Sequence, residues 1–190
     1  MSNQNTKVVT GLVRFSYVNI FNKRSFDSSQ DEKFSISILI PKKDKATLKK
    51  IKAAVDNAKE IGKQKWGGKV PSNLKTPLRD GDEERADEAS EYKDMYFLNA
   101  TSNIKPGIVD KNCNEILDNT EVYSGCWGRV AINFYPFNSN GNKGIAVGLQ
   151  NVQKLKDDEP LGFAIASAES DFNDGFEWED EDEDDEDFLS

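Results

Sequence analysis

All 25 Lys and Arg of this 190-residue chain lie in residues 1–156, whereas residues 157–190 hold 16 acids and no Lys or Arg. The other 18 of the 34 acids lie in the first stretch, so its formal charge is 25 − 18 = +7, and the remainder carries −16. The overall −9 therefore averages two pieces that cannot share one fold. Like charge at the C-terminal density repels, and too little apolar area accompanies it to offset chain entropy. From Glu177 to Asp187 the sequence reads EWEDEDEDDED, followed by Phe188, Leu189 and Ser190. The expectation is a folded body over 1–165 and a disordered acidic interaction tail over 166–190.

The body reads as mainly β. Residues 7–20 are rich in β-branched and aromatic residues and form a strand with weak alternation. In KFSISILI (33–40), Phe34, Ile36, Ile38 and Ile40 share one side and Lys33, Ser35 and Ser37 the other, which predicts a half-buried strand ending at Pro41. Asp44 suits an N-cap. Leu48, Ile51, Val55, Ala58 and Ile61 then recur at helical spacing, predicting an amphipathic helix from Lys45 to about Lys65, stopped by Gly67-Gly68. Lys45, Lys49, Lys52, Lys59 and Lys63 line its other side, either as a solvated face or as a contribution to DNA attraction. Residues 69–93 read as a long polar loop, and RDGDEE within it as a solvated charged loop. Further strands are expected at 94–102, 126–137 and 144–155, the last two joined as a hairpin. Five strands, one amphipathic helix and long loop insertions suit an OB-like five-stranded Greek-key barrel, with a β-sandwich as the alternative.

The fourth strand carries the most chemistry. Gly128, Val130, Ile132 and Phe134 make a core face, while Trp127, Arg129, Asn133 and Tyr135 make the opposite one. Two aromatics flanking a cation and an amide have the composition of a base-stacking platform, where each stacked base contributes ~1–3 kcal/mol. The same rings equally suit packing under a loop or against the helix. Arg14, Tyr17, Phe21 and Lys23 form a second mixed cluster, Lys65, Trp66 and Lys69 a third, and Arg79 with Tyr92 a fourth, beside Tyr96, Phe97 and Lys93. Aromatics interleaved with cations on a basic body are the pattern of single-strand binding without sequence readout. In the tail, Trp178, Asp184, Asp185, Asp187, Phe188 and Leu189 combine charge with apolar tips and suit a basic-rimmed pocket on a partner.

Several classes are disfavoured. The chain has no His, the commonest general base and metal ligand. Cys113 and Cys126 have no metal-ligand spacing and read as reduced thiols. GGK at 67–69 lacks the P-loop pattern, and nothing resembles a nucleophile–base pair. No catalysis, cofactor or metal is expected. The polar N-terminus and the lack of a long apolar run predict a cytoplasmic protein without membrane association.

RFSYVNIF (14–21), FSISILIPKKDK (34–45), PLRDGD (77–82), VYSGCWGRVAINFYPFN (122–138) and KGIAVGLQNVQKL (143–155) together resemble a family of phage-encoded single-stranded DNA-binding proteins, over about residues 8–165. The resemblance implies an OB body that coats and protects single-stranded DNA in phage replication and recombination, in the cytoplasm of an infected bacterial cell. The tail is similar in design to those of other single-strand binders. It implies recruitment of phage or host replication and recombination proteins, although Phe188 stands third from the end rather than last. A homodimer is left open. The competing reading is an acidic DNA mimic or protein-interaction module whose body does not bind DNA.

Overall fold

The computed structural model describes residues 5–25, 31–161, 172–173 and 175–177. Its strands are β1 (Lys7–Val9), β2 (Val13–Arg24), β3 (Lys33–Pro41), β4 (Arg79–Asp80), β5 (Met95–Ser102), β6 (Gly107–Val109), β7 (Trp127–Ser139) and β8 (Asn142–Lys156). Helix α1 spans Lys45–Gly62 and a single turn, α2, spans Gly81–Glu84. Strand β2 lies between β7 and β3, β3 pairs with β5, β5 pairs with β8, and β7 pairs with β8. Those five strands close a ring, the OB-like barrel that the alternation pattern predicts. All the pairings in it are antiparallel except β5–β8, which is parallel at Thr101↔Gly148.

Inside the ring, Val13, Phe15, Ile36, Ile38, Ile40, Leu98, Ala100, Val130, Ile132, Phe134, Val147 and Leu149 form one buried cluster with Ile51, Ala54, Val55 and Ala58 of α1. The period-2 residues of the strands and the period-3.6 residues of the helix thus meet in one core. Gly128 is required where β7 crosses Phe15: a Cβ there would come within 1.9 Å of the Gln153 carbonyl oxygen and 2.8 Å of the Phe15 ring.

Helix α1 starts where the cap predicts. The Asp44 carboxylate accepts from the Thr47 backbone N–H at 3.1 Å, and the Thr47 hydroxyl accepts from the Gly11 N–H at 2.9 Å. The latter bond joins the helix to the turn that separates β1 from β2, so the expected single strand over 7–20 is two. At the other end the buried face continues to Gly62 rather than Ile61, which is exposed. A 3-10 turn over Lys63–Trp66 then lays the indole on Gly62.

Strand β3 departs from its half-buried prediction. Ser35, Ser37 and Leu39, on the side expected to meet solvent, are as buried as the isoleucines. The cover over Leu39 is the 69–93 insertion, which is ordered. Leu39, Tyr92 and Phe97 make a small second core, with the two rings edge-on at 5.1 Å. PLRDGD explains the order. Lys42 Nζ donates to Asp80 Oδ1 at 2.8 Å and Asp82 Oδ2 at 2.7 Å, while Asp82 Oδ1 accepts from the Asp94 N–H. Between the two acids, Gly81 passes so close to the Tyr92 and Met95 carbonyls that a Cβ would lie 2.4 and 2.6 Å from their oxygens. The RDGDEE segment is therefore a clamp rather than a solvated loop. The tail expected over 166–190, its disorder and the 165/166 boundary fall almost wholly outside the described residues; Phe172 and Phe176 are described and exposed.

Candidate nucleic-acid interface

The insertion forms one wall of a cleft of about 310 Å³ over the outer face of β2, β3 and β5. Register places Ser35 opposite Thr101 and Ser37 opposite Asn99, so these four polar side chains share the floor. The Ser37 hydroxyl donates to Asn99 Oδ1. Tyr17, Ile36, Arg79, Arg85, Tyr92 and Phe97 complete the lining.

Tyr17 reaches the cleft through a distortion. By parity it belongs with Val13 and Phe15 in the core. The β2–β3 register shifts between Ser16 and Asn19, and Tyr17 adopts φ +45°, leaving it 53% exposed. Bulges re-aim side chains in this way, and a positive φ is costly for an aromatic residue. The Tyr17 hydroxyl accepts from Arg85 Nη2 at 3.1 Å, and this bond raises the guanidinium pKa against the opposing effect of burial.

Both arginines lie on rings: Arg85 over Tyr92 and Arg79 over Phe97, each 5.0 Å from the centroid. Arg79 also pairs with Glu84 at 2.7 Å. Burial pushes the Tyr92 phenol pKa up, so it stays neutral at ordinary pH. The cleft consequently offers one exposed ring, two guanidinium planes stacked on buried rings, and a polar floor. Arg85 Nε and Ser35 Oγ are buried without a hydrogen-bond partner among the described residues. Such groups are rare in folded proteins because each costs about 1–3 kcal/mol, and here both belong to residues that line one cleft.

Of the residues singled out in the sequence, Tyr17, Arg79 and Tyr92 converge here. Tyr135, 41% exposed, stands at the cleft's edge. Its ring lies 3.6 Å from where a Gly148 Cβ would be, and Gly148 pairs with the cleft residue Thr101. Side chains at paired positions share a face. Toward the far end of the same strands, Lys23 lies 5.7 Å over the Phe34 ring and Lys105 lies 5.6 Å over Phe21.

The remaining candidates sit elsewhere. Trp66 is 6% exposed and donates its indole N–H to the Phe137 carbonyl at 3.0 Å, so it packs in the core and presents no face for stacking. Lys65, whose Nζ is 3.5 Å from the Pro136 carbonyl, and the exposed Lys69 stay with it at the end of the helix. Arg129 is exposed but gives its Nε–H to the Thr10 carbonyl at 2.8 Å. Trp127 lies between Arg14, 5.8 Å from its centroid, and Lys156, at 5.0 Å, with its N–H donated to Asp158 at 2.8 Å. Arg14 donates to the Gly125 and Glu159 carbonyls. The root of the acidic region thus covers the Arg14–Trp127 end of the fourth-strand face. Arg85 was not among the sequence candidates, and its signal was faint: it is the one cation in DGDEERADEASEY (80–92).

Among the described residues no group of three or more Cys, Asp or Glu is placed to hold a metal, and no helix is long and apolar enough to cross a membrane. A closed five-stranded barrel with a cationic, aromatic cleft across three of its strands is the architecture of an OB-fold protein. The chain belongs to the family described as Enterobacter phage Enc34, ssDNA-binding protein, whose profile matches residues 6–189. It is similar to the single-stranded DNA-binding protein from bacteriophage Enc34 in complex with ssDNA, at 27% identity and TM-score 0.73, covering 83% of this chain and 90% of that one. The crystal structure of gp2.5, a single-stranded DNA-binding protein encoded by bacteriophage T7, shares the fold at 13% identity and TM-score 0.60, over 91% of this chain and 98% of that one. Among curated sequences, putative protein p50 of Acyrthosiphon pisum secondary endosymbiont phage 1 is 28% identical, over 88% of this chain and 93% of its own length.

Proposed function

We propose that this chain binds single-stranded DNA without sequence readout, along the β2–β3–β5 cleft, and serves phage replication or recombination in the cytoplasm of the host. The observation that carries the proposal is the convergence of Tyr17, Arg79 and Arg85 with two unsatisfied buried polar atoms in one cleft. Membership of a family described by ssDNA binding supports it. Guanidinium planes and an exposed ring stack on any base, and the cations match the backbone, so affinity needs no base-edge code. The role is binding and protection, without catalysis. Residues 166–190 then act as an arm that recruits replication or recombination proteins through Trp178, Asp184, Asp185, Asp187, Phe188 and Leu189. Its 13 acids, with no Lys or Arg among them, oppose DNA at long range.

The test is a salt titration of oligo(dT) binding, with duplex DNA as control, for the wild type, Arg79→Ala/Arg85→Ala and a chain lacking 166–190. The expected result is a strong preference for oligo(dT), a marked loss in the double variant, and tighter low-salt binding after truncation. Equal binding of oligo(dT) by wild type and double variant would refute the cleft as the site.

A further inference from the structure

The two arginines of the cleft are stacked alike but compensated differently. Each guanidinium lies 5.0 Å from the centroid of the ring beneath it, Arg79 over Phe97 and Arg85 over Tyr92. Arg79 also has its own counter-charge: its Nε donates to Glu84 Oε2 at 2.7 Å, with both side chains part-exposed. The ion pairs of the described residues engage Arg14, Lys42, Lys63, Arg79 and Lys154, and leave Arg85 out. The Arg85 guanidinium donates instead to a neutral group, the Tyr17 hydroxyl. Glu88 favours its charge more weakly than that bond does, from beyond ion-pair distance.

Electrostatics separates the roles of the pair. A cation held against a carboxylate presents a dipole, and by Coulomb's law the two opposite terms largely cancel at a third charge. A phosphate approaching Arg79 thus meets Glu84 as well, and attraction is offset by repulsion. What stays available is the guanidinium plane, pinned at one edge by Glu84 and backed by Phe97, a surface suited to a base. Arg85 keeps a whole charge on the cleft wall, with its Nη2 edge fixed by Tyr17, and suits the backbone. Glu84 and Arg85 are sequence neighbours, so the turn that delivers the free cation also delivers the acid that silences the other one.

We infer that Glu84 divides the work of the cleft: by neutralising Arg79 it makes that residue a base platform, and it leaves Arg85 as the phosphate anchor. The inference rests on the cleft being the DNA site, as proposed above.

The slope of log affinity against log salt separates the two roles. Contacts that neutralise phosphate release counterions, at about 0.7 per phosphate of a single strand, whereas base stacking does not. Oligo(dT) binding by full-length variants, followed by fluorescence anisotropy across a salt titration, reads affinity and slope together. Arg85→Gln should bind more weakly with a slope shallower by about 0.7, and Arg85→Lys, which keeps the charge, should restore the slope. Glu84→Gln should steepen the slope by about 0.7 and tighten low-salt binding, because it frees a second charge. Arg79→Gln combined with Glu84→Gln exchanges one neutral pair for another. It should lower affinity roughly fivefold or more, for a lost stack, with the slope unchanged. A slope as shallow in that double variant as in Arg85→Gln would show that Arg79 engages phosphate, and would overturn the inference. So would a wild-type slope in Arg85→Gln or in Glu84→Gln. Wild-type affinity and slope in every variant would go further and remove DNA from the cleft. A folding defect lowers affinity but does not steepen the slope, so Glu84→Gln keeps the test decisive even if Arg85→Gln unfolds.

Discussion

At the scale of single residues, Tyr17 and Arg85 trade folding energy for an open cleft. Tyr17 holds φ +45° to leave the core parity of β2, a conformation that disfavours any residue with a Cβ by roughly 1–2 kcal/mol. Tyr17→Gly should therefore unfold at a higher denaturant concentration than Tyr17→Ala, by roughly 1 kcal/mol in stability. Both variants should lose ~1–3 kcal/mol of oligo(dT) affinity if one base stacks on the ring. Equal unfolding midpoints would show that no strain is stored there. Arg85 leaves Nε buried and unpaired while its guanidinium gains from Tyr17 and the Tyr92 ring. Those effects oppose each other, so Arg85→Met should shift Tm by no more than about 4 °C, the size of a 1 kcal/mol change in a chain of this length. Oligo(dT) affinity should nonetheless fall clearly, as fluorescence anisotropy of a labelled oligomer would show.

At the scale of elements, the Lys42 clamp decides whether the cleft has its second wall. Hydrogen bonding to Lys42 holds the Asp80 and Asp82 carboxyls below the usual carboxylate range, and the same bonds raise the Lys42 ammonium pKa. For depressed carboxylates the contribution is present above the unfolded value of about 3.9 and is lost as pH falls through the lowered folded values. For the raised Lys42 it is complete below the unfolded value of about 10.4 and is lost only as pH rises toward and through the folded one. Near-UV circular dichroism from Tyr92 and Tyr96 should accordingly be flat across neutral pH and decline below about pH 4. At neutral pH, Lys42→Met should speed tryptic cleavage after Arg79 and Arg85, and unchanged cleavage would count against the clamp. Much of this scale was legible in the sequence. Phe34, Ile36, Ile38 and Ile40 announced β3 by alternation, and Asp44 with Leu48, Ile51 and Val55 announced α1 by capping and spacing. The bulge at Tyr17 was not legible, because parity is a local rule and the distortion depends on the pairing of β2 with β3. Nor was the order of 69–93, since its acids are tied by a lysine some 40 residues earlier in the chain. The site followed the same division. Arg79 and Tyr17 were visible as types, whereas Trp66 and Tyr92 looked equally aromatic and were both buried, Trp66 in the main core and Tyr92 beneath Arg85, and Arg85 was hidden among acids.

At the scale of the whole molecule, two charge pieces of +7 and −16 act on one ligand. If the strand engages four to six cations, log affinity should fall against log salt with a slope of roughly −3 to −4, from about −0.7 per neutralised phosphate of single-stranded DNA. The gain on deleting 166–190 should shrink toward zero as salt rises, because a tail acting through charge is screened within about 8 Å at physiological ionic strength. A gain that survives high salt would mean the tail excludes DNA by occupying the cleft. The placement of the three tryptophans has a further consequence. Trp66 is sealed in the core, and Trp127 is sandwiched by Arg14 and Lys156 with its N–H on Asp158, at the root of the acidic region. Trp178 belongs to the acidic run itself. Each indole is thus wired to a different event, so the emission of single-tryptophan variants would separate loss of the core, detachment of the tail's root and movement of the tail's end without any attached dye.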